Sequence, residues 1–287
     1  MLAAVAEHHL RVGPLPAWLQ LDRLLGPTRV GGPDGDGWQV EAGAEGAVEA
    51  QARLPTALAA DLVARLRGLG FDGRALVCEV EPPLRRSVTR RARSEDARRR
   101  RVTTPGFSRA GVRLDDVGRI SLTPEVLAQR VAAGAQGRPV VDAGCGAGGN
   151  AIAFARAGSR VCAIESDAAR LELARHNAEV YGVGDRIEFV HGDALEQVPA
   201  RRDESAILFI DPPWGADWNR RGCGLAELPL LAALAPLALG YAALWAKVPA
   251  SFATRELLGD PPGGDAQALF GEAQGDRRRV KFVLVRR

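Results

Sequence analysis

VVDAGCGAGGN, residues 140–150, is the stretch that decides the fold. Two β-branched residues lead into Asp142, glycines follow at positions 144, 146, 148 and 149, and an apolar stretch begins near Asn150. This order predicts a strand, a tight turn and a helix N-terminus, whose unpaired N–H groups face a ligand. Glycine is used where the backbone takes a positive φ or lies flat against that ligand. The loop therefore predicts a site for a nucleotide-containing cofactor.

Carboxylates around this loop favour S-adenosylmethionine over a dinucleotide. Asp142 lies at the strand end, where a carboxylate attracts the methionine amino group but repels a pyrophosphate. Glu165 ends the next predicted strand, RVCAIE, and suits the ribose hydroxyls of either cofactor class, while Asp193 in HGD is placed to accept from the adenine amino group. A tight turn with solvated carboxylates is the alternative that the motif alone leaves open. The predicted loop contacts are Gly144, Gly146, Gly148 and Asn150.

A second motif, DPPWG at residues 211–215, follows the apolar strand AILFI. Asp211 then emerges at the carboxyl end of a buried strand, which is the edge where open α/β sheets bind ligands. Pro212 and Pro213 lack N–H donors, so this turn offers rigid carbonyl acceptors. Asp211 and the Pro212 carbonyl would hold an exocyclic amine for attack on a sulfonium methyl, and Trp214 would stack the base. We predict Asp211, Pro212 and Trp214 as catalytic, a proline-rich turn around a core tryptophan being the alternative.

Several further pieces follow one another in a characteristic order. They are FSR at 107–109, GVRLD at 111–115, SLTPE at 121–125, ARHNAEVYG at 174–182 and RIEFVHGD at 186–193, together with VVDAGCGAGGN and PPWG. The stretch from Phe107 to about Trp218 thereby resembles the trimethylguanosine synthase family, the RNA cap guanine-N2 methyltransferases.

The resemblance implies a class I methyltransferase that acts on the 2-amino group of a 7-methylguanine. It places Thr123, Asp142, Glu165 and Asp193 on cofactor-contacting positions, and it stacks the cationic ring on Trp214, for which tryptophan is the best partner. Trp218 is either a second stacking face or a residue that packs the loop. The predicted substrate-binding residues are Phe107, Arg109, Pro213, Trp214 and Trp218.

One departure from the family pattern leaves the target base open. The cap enzymes typically have Ser-Pro-Pro-Trp, whereas this chain has Asp211, closer to the acidic motif of adenine-N6 and other base-amino methyltransferases. An ionised carboxylate accepts hydrogen bonds but cannot donate one. Guanine N2 in RNA is the favoured target, with adenine N6 and small-molecule amines as alternatives. A non-catalytic subunit that binds S-adenosylmethionine and RNA is the alternative of another class.

The segment from Arg85 to Arg101 carries nine arginines and two acids in a chain whose net charge is only +3. Guanidinium groups match phosphate oxygens and release counterions from nucleic acid on binding. A solvated basic helix or a linker is the ordinary alternative for such a run. We expect this run to contact RNA.

The chain is predicted to contain three parts. Residues 1–84 would be an accessory α/β module, with an N-terminal helical stretch, a loop at 31–37, and the strands AVEAQARL and RALVCEV around the helix ALAADLVARLRGLG. Residues 85–110 would be an Arg-rich linker or helix. Residues 111–287 would be the methyltransferase domain, a Rossmann-like, doubly wound α/β sheet of seven strands that ends in an antiparallel hairpin. Its helix 124–133 would take Thr123 as N-cap.

The remaining composition excludes several other classes. Cysteines 78, 145, 162 and 223 form no CxxC pair and have no histidine partners at zinc-ligand spacing, so no metal is predicted and a reducing cytoplasm is expected. The first residues lack the features of a signal peptide. Prolines and a glycine interrupt the uncharged stretch from Leu228 to Ala246, which therefore predicts a buried helix and strand rather than a membrane span.

Overall fold

The computed structural model describes residues 6–26, 37–214 and 218–287, and its N-terminal part is a four-stranded antiparallel sheet. The sheet has the order β2-β3-β1-β6, with β1 (Glu7–Pro16), β2 (Gln39–Ala42), β3 (Ala47–Pro55) and β6 (Val77–Glu81). Two short strands, β4 (Gly70–Phe71) and β5 (Arg74–Ala75), pair separately. The helices of this part are α1 (Leu21–Leu25) and α2 (Thr56–Leu66).

The predicted N-terminal helical stretch is wrong, because most of it is the strand β1. Leu10 and Val12 are fully buried and alternate with exposed residues, which is the period of two that a strand requires. His8 is also buried and its ring nitrogens lie 2.6 Å from the Pro82 carbonyl and 3.0 Å from the Thr56 hydroxyl. The predicted loop at 31–37 lies outside the described residues except for Gly37.

The Arg-rich run forms a helix, α3 (Arg86–Arg99), which packs on α2. The C-terminal end of α3 is held by ion pairs: Arg99 lies 2.6 Å from Asp61, and the buried Asp96 binds Arg100 and Arg279. The exposed arginines before this anchor make no ion pair with any described residue; they are Arg85, Arg86, Arg90, Arg91 and Arg93. The C-terminal end of the run therefore anchors the helix, and the exposed arginines before it form a basic surface without ion-pair partners among the described residues.

A seven-stranded sheet follows, as the sequence predicts. Its strands are β7 (Val140–Ala143), β8 (Val161–Glu165), β9 (Ile187–His191), β10 (Asp203–Ile210), β11 (Tyr241–Val248), β12 (Asp265–Phe270) and β13 (Val280–Arg286). The order is β12-β13-β11-β10-β7-β8-β9, with β7 to β11 parallel and β13 antiparallel to both neighbours. The chain order reverses between β7 and β10, which makes this point the topological switch where such sheets bind ligands.

Helices cover both faces of this sheet. They are α4 (Asp116–Ser121), α5 (Glu125–Ala133), α6 (Gly149–Arg156), α7 (Ala168–Tyr181), α8 (Ala194–Ala200), α9 (Pro229–Leu234) and α10 (Arg255–Leu258). Phe154, Phe209 and Trp245 belong to the core on one face, and Leu231 and Phe252 belong to the core on the other. Because both faces are covered, the parallel strands are apolar where they are buried, as in residues 206–210 of β10. Among the described residues, no helix has the length and apolar character that crossing a membrane requires.

The N-terminal part packs on the edge of the large sheet. Its own core includes Leu10, Leu62 and Phe71, and it continues into Ala268 and Phe270 of the edge strand β12. Thr104, after α3, donates to Asp276 at 2.8 Å and so connects this part to the C-terminal hairpin.

Candidate functional site

The glycine loop connects β7 to α6 at the topological switch. Gly144, Gly146 and Gly148 have φ angles of 92°, 57° and 89°, a region that side chains rarely allow. At Gly148, which caps α6, an added Cβ would also lie 3.1 Å from the Cβ of Ala174. All three positions therefore need glycine for conformation, and Gly148 needs it for space as well.

Asp142 is fully buried beneath this loop, and neither carboxylate oxygen has a hydrogen-bond partner among the described residues. Burial, helped by the nearby Asp211 and Glu165 carboxylates, raises the pKa of Asp142 to about 8. An unpartnered buried carboxyl is costly unless a donor or a cation satisfies it. The group fits the amino group of a bound S-adenosylmethionine.

Glu165 and Asp193 line a small cavity on the β8 and β9 side of the loop. The cavity wall consists of Gly144, Ile164, Glu165, Ser166, Gly192, Asp193, Ala194 and Leu230. Glu165 is buried and accepts from the backbone N–H groups of Gly146 at 2.9 Å and Asp167 at 3.0 Å, which leaves further lone pairs for hydroxyl groups. Asp193 is exposed and caps α8 through the N–H of Leu195 at 2.8 Å.

Asp211 follows β10 directly, and three donors converge on one of its oxygens. Lys247 Nζ lies 2.7 Å from Oδ2, Asn150 Nδ2 lies 3.0 Å away, and Thr123 Oγ1 lies at the long distance of 3.5 Å. No described residue donates to Oδ1. One carboxylate oxygen is thus occupied by the protein, and the other has no protein donor.

Two predicted cofactor contacts therefore have other partners in the structure. Asn150 is turned toward Asp211, as stated above. Thr123 was predicted to cap helix 124–133, and this prediction is wrong: α5 has Pro124 at its N-cap position without a side-chain cap. The Thr123 hydroxyl points at Asp211 instead.

Lys247 is the site residue that the sequence reasoning missed. Ile210 of β10 and Ala246 of β11 are parallel register partners, so the next residues, Asp211 and Lys247, lie side by side at the carboxyl ends of the two strands. The sequence signal for Lys247 is a single lysine near the end of the otherwise apolar strand YAALWAKV, in a chain with only two lysines among 38 basic residues.

The Pro-Pro-Trp turn borders this acceptor. Trp214 is partly buried against both cores of the large sheet, and its Nε1 has no partner among the described residues. The Trp218 ring lies 5.9 Å from it at 69°, an edge-to-face arrangement, and Lys247 Nζ lies 5.4 Å from the Trp214 ring centroid. Pro212 is buried and Pro213 is exposed, while residues 215–217 are outside the described structure.

Phe107 and Arg109, the other predicted substrate contacts, are held by the protein around Tyr181. The Phe107 ring lies 5.5 Å from the Tyr181 ring, and Arg109 lies over the same ring and donates to the Val180 carbonyl. Burial opposes ionisation of the neighbouring Glu125, but hydrogen bonds from Ser108, Tyr181 and Arg156 lower the pKa of Glu125 to about 2. The described donors to Asp211 are Thr123, Asn150 and Lys247 and do not include Arg109.

All four cysteines are free, and no group of three or more metal-ligating side chains occurs within residues 6–26, 37–214 and 218–287.

Comparison with known proteins finds similarity to RNA methyltransferases over the central part of the chain. Residues 137–221 match the family model of the RNA cap guanine-N2 methyltransferases. A trimethylguanosine synthase from Schizosaccharomyces pombe is 36% identical over 119 residues, which cover 38% of this chain and 49% of that protein. An uncharacterised RNA methyltransferase from Gloeobacter violaceus is 34% identical over 120 residues, 41% of this chain and 24% of that protein. The chain thus spans half or less of the length of these relatives.

Similarity to solved structures is weaker. An RNA methyltransferase from Salinibacter ruber in complex with S-adenosyl-L-homocysteine covers 57% of this chain and 90% of its own, with 20% identity and a TM-score of 0.39. The fold assignment therefore rests on the strand order and the glycine loop described above. Together with the matched segment, they show that the chain contains a class I S-adenosylmethionine-dependent methyltransferase domain, in which residues 137–221 match the model of the RNA cap guanine-N2 methyltransferases.

Proposed function

We propose that this protein transfers the methyl group of S-adenosylmethionine to an exocyclic amino group of a nucleobase in RNA, with guanine N2 as the target. The observation that carries the proposal is the arrangement of Asp211. It lies at the topological switch, close enough to Asp142 to act on its ionisation, with one oxygen fixed by the protein and the other without a protein donor. A carboxylate oxygen in this state is a strong acceptor for an amine N–H.

The cofactor side of the site would be formed by the loop and the carboxylates around it. Asp142 would pair with the methionine amino group, Glu165 would accept from the ribose hydroxyls, and Asp193 would accept from the adenine amino group. The backbone at Gly144, Gly146 and Gly148 would lie against the ligand. When bound, S-adenosylmethionine supplies an electrophilic methyl group on its sulfonium sulfur.

The acceptor side would be formed by the turn after β10. Asp211 Oδ1 and the Pro212 carbonyl would each accept one N–H of the amine and direct its nitrogen toward the methyl group. Positioning and electrostatic stabilisation supply most of the acceleration in such a site, since no covalent intermediate is needed. Pro213, Trp214 and Trp218 would contact the base. Asn150 and Thr123 would hold Asp211 in place through their hydrogen bonds to Oδ2.

The free part of the basic helix α3 is the proposed contact for the RNA backbone. Arg86, Arg90 and Arg93 are spaced four and three residues apart, so they lie on one face of the helix. They are exposed and make no ion pair within the described chain, in contrast to Arg99 and Arg100. Phe107 and Arg109 would contact the RNA after its binding releases them from the Tyr181 ring.

The choice of guanine N2 is supported by the matched family segment and by the relative named as a trimethylguanosine synthase. Asp211, where the cap enzymes typically have serine, favours the adenine amino group as the second candidate target. Guanine and adenine both carry an exocyclic amine whose N–H groups donate to a carboxylate, so the geometry of Asp211 fits either base.

The test measures methyl transfer from labelled S-adenosylmethionine to three short RNAs that share the rest of their sequence. The first begins with guanosine, the second with a 7-methylguanosine cap and the third with adenosine. Mass analysis of the nucleosides then locates the methyl group. We expect N2-methylated guanine, and a larger yield with the cap would identify the cap as the preferred form. Methyl groups found only on adenine N6 would replace the guanine assignment, and transfer to none of these RNAs would overturn the proposal.

A further inference from the structure

The ion pair between Lys247 and Asp211 is buried. The Lys247 side chain is 7% exposed and that of Asp211 is 17% exposed, with 2.7 Å between Nζ and Oδ2. Removing an ammonium and a carboxylate from water costs several kcal/mol each, so such pairs are weak contributors to stability. Of 38 basic residues only Lys247 and Lys281 are lysines, so a lysine at this position departs from the composition of the chain.

The surroundings of Lys247 restrict what its charge can do. The ammonium lies 5.4 Å from the Trp214 ring centroid and 5.3 Å from that of Phe282. Asp211 is the carboxylate with which it forms an ion pair among the described residues. The lysine is therefore not a surface charge available to RNA, and its ion-pair partner is the proposed amine acceptor.

The charge balance around Asp211 also depends on Lys247. Asp211 and Glu165 both disfavour ionisation of the buried Asp142, whereas Lys247 favours it. Without the lysine, two neighbouring carboxyl groups on adjacent strands would share a site of low polarity with no ammonium group beside them. Asn150 and Thr123 would then be the donors left on Oδ2.

We propose that Lys247 is a positioning residue for methyl transfer: it fixes Oδ2 of Asp211, so that Oδ1 stays directed at the substrate amine. This inference rests on the function proposed above. Lys247 does not touch the reacting atoms; it acts through Asp211. Because three donors hold Oδ2, rotation of the carboxylate would break all three contacts at once.

The first test compares kcat and the KM for RNA in Lys247→Met, Lys247→Arg and the matched control Lys281→Met. The control removes the other lysine, which pairs with Asp276 at 3.3 Å. We expect Lys247→Met to lower kcat by about 100-fold, the loss that a small misplacement of a reacting group can cause. The KM for RNA should change far less than kcat, and Lys247→Arg should restore much of the activity. No loss of kcat, or a Lys247→Arg variant as inactive as Lys247→Met, would overturn the inference.

A second test does not need turnover. Because the chain has two lysines, labelling lysine with ¹⁵N at Nζ gives two side-chain signals to follow by NMR. We expect the Lys247 signal to shift in Asp211→Asn and to be unchanged in Asp203→Asn, which alters an exposed aspartate at the start of the same strand. An unshifted signal in Asp211→Asn would show that the pair does not exist, whatever the substrate of the enzyme. Failure of the proposed function alone would leave this shift intact while no RNA is methylated by the unmodified protein.

Discussion

Replacing Asp211 by asparagine removes one acceptor from the proposed amine site while keeping its shape. The asparagine side chain has one carbonyl oxygen, and Lys247 and Asn150 already donate toward the position of Oδ2. The amide should therefore turn its oxygen to Lys247 and present its NH₂ group to the substrate amine, where two donors would face each other.

The size of the effect follows from the hydrogen bond that is lost. A hydrogen bond to a charged group contributes about 1.5–3 kcal/mol, and each 1.36 kcal/mol changes a rate tenfold. We therefore expect kcat to fall by about 10- to 150-fold. The affinity for S-adenosylmethionine should not fall, because the cofactor contacts Asp142 and Glu165 in the proposed site rather than Asp211, and removal of the Asp211 charge favours ionisation of Asp142.

The assay is initial-rate methyl transfer to RNA, with cofactor affinity measured by calorimetry on the same preparations. Asp203→Asn is the matched control, since Asp203 is exposed and contacts Ser205 at the opposite end of β10. A variant Asp211→Asn that keeps its kcat, or that loses cofactor affinity in proportion to kcat, would refute the assigned role.

Three further predictions concern the cofactor, the RNA and the fold. Because the pKa of Asp142 is raised to about 8, its carboxyl is protonated at pH 6, and cofactor affinity measured by calorimetry should rise by up to about tenfold per pH unit toward pH 8. The variant Asp142→Asn should bind weakly without this slope. Changing Arg86, Arg90 and Arg93 to glutamate should raise the KM for RNA and reduce the slope of log affinity against log salt by about two to three. Asp96→Asn should lower the free energy of unfolding in urea by about 3 kcal/mol, because it leaves Arg279 without its buried partner.

Each of these predictions has a control and a contrary outcome. A cofactor affinity that is independent of pH would mean that Asp142 does not meet the amino group. Arg98→Glu should have a smaller effect on the salt slope, because Arg98 pairs with Glu95 at 3.3 Å. Equal effects would mean that the arginines of the run contribute alike, as in a linker. Glu95→Gln, which breaks that exposed pair, should change stability by less than about 1 kcal/mol, and a loss as large as that of Asp96→Asn would contradict the anchoring role of Asp96.

The sequence predicted the large sheet well because its determinants are local. The glycine loop, the apolar parallel strands and the closing hairpin each occupy a short segment, and the structure has them within a few residues of the predicted bounds. The N-terminal strand β1 was missed because its partners are distant: it pairs with Ala47–Pro55 on one side and with Val77–Glu81 on the other. Only the tertiary pairing makes its alternating residues a strand.

The sequence located the carboxylates of the candidate site but not their hydrogen-bond partners. Asp142, Glu165 and Asp211 were located because they end predicted strands at one edge of a sheet. The partners of Asp211 were not found, since Thr123, Asn150 and Lys247 come from three separate segments that meet only in the folded protein. The division of the basic run also needed the structure, because the buried carboxylate of Asp96 pairs with Arg279 far along the chain.

The most direct measurement of the central claim uses a substrate that lacks the proposed acceptor. Replacing the target guanosine by inosine in an otherwise identical RNA removes only the exocyclic 2-amino group. If guanine N2 is the methyl acceptor, transfer from labelled S-adenosylmethionine falls to background with the inosine RNA, while the two RNAs bind with similar affinity. Equal methylation of the two RNAs would place the methyl group on another atom and contradict the role assigned to Asp211.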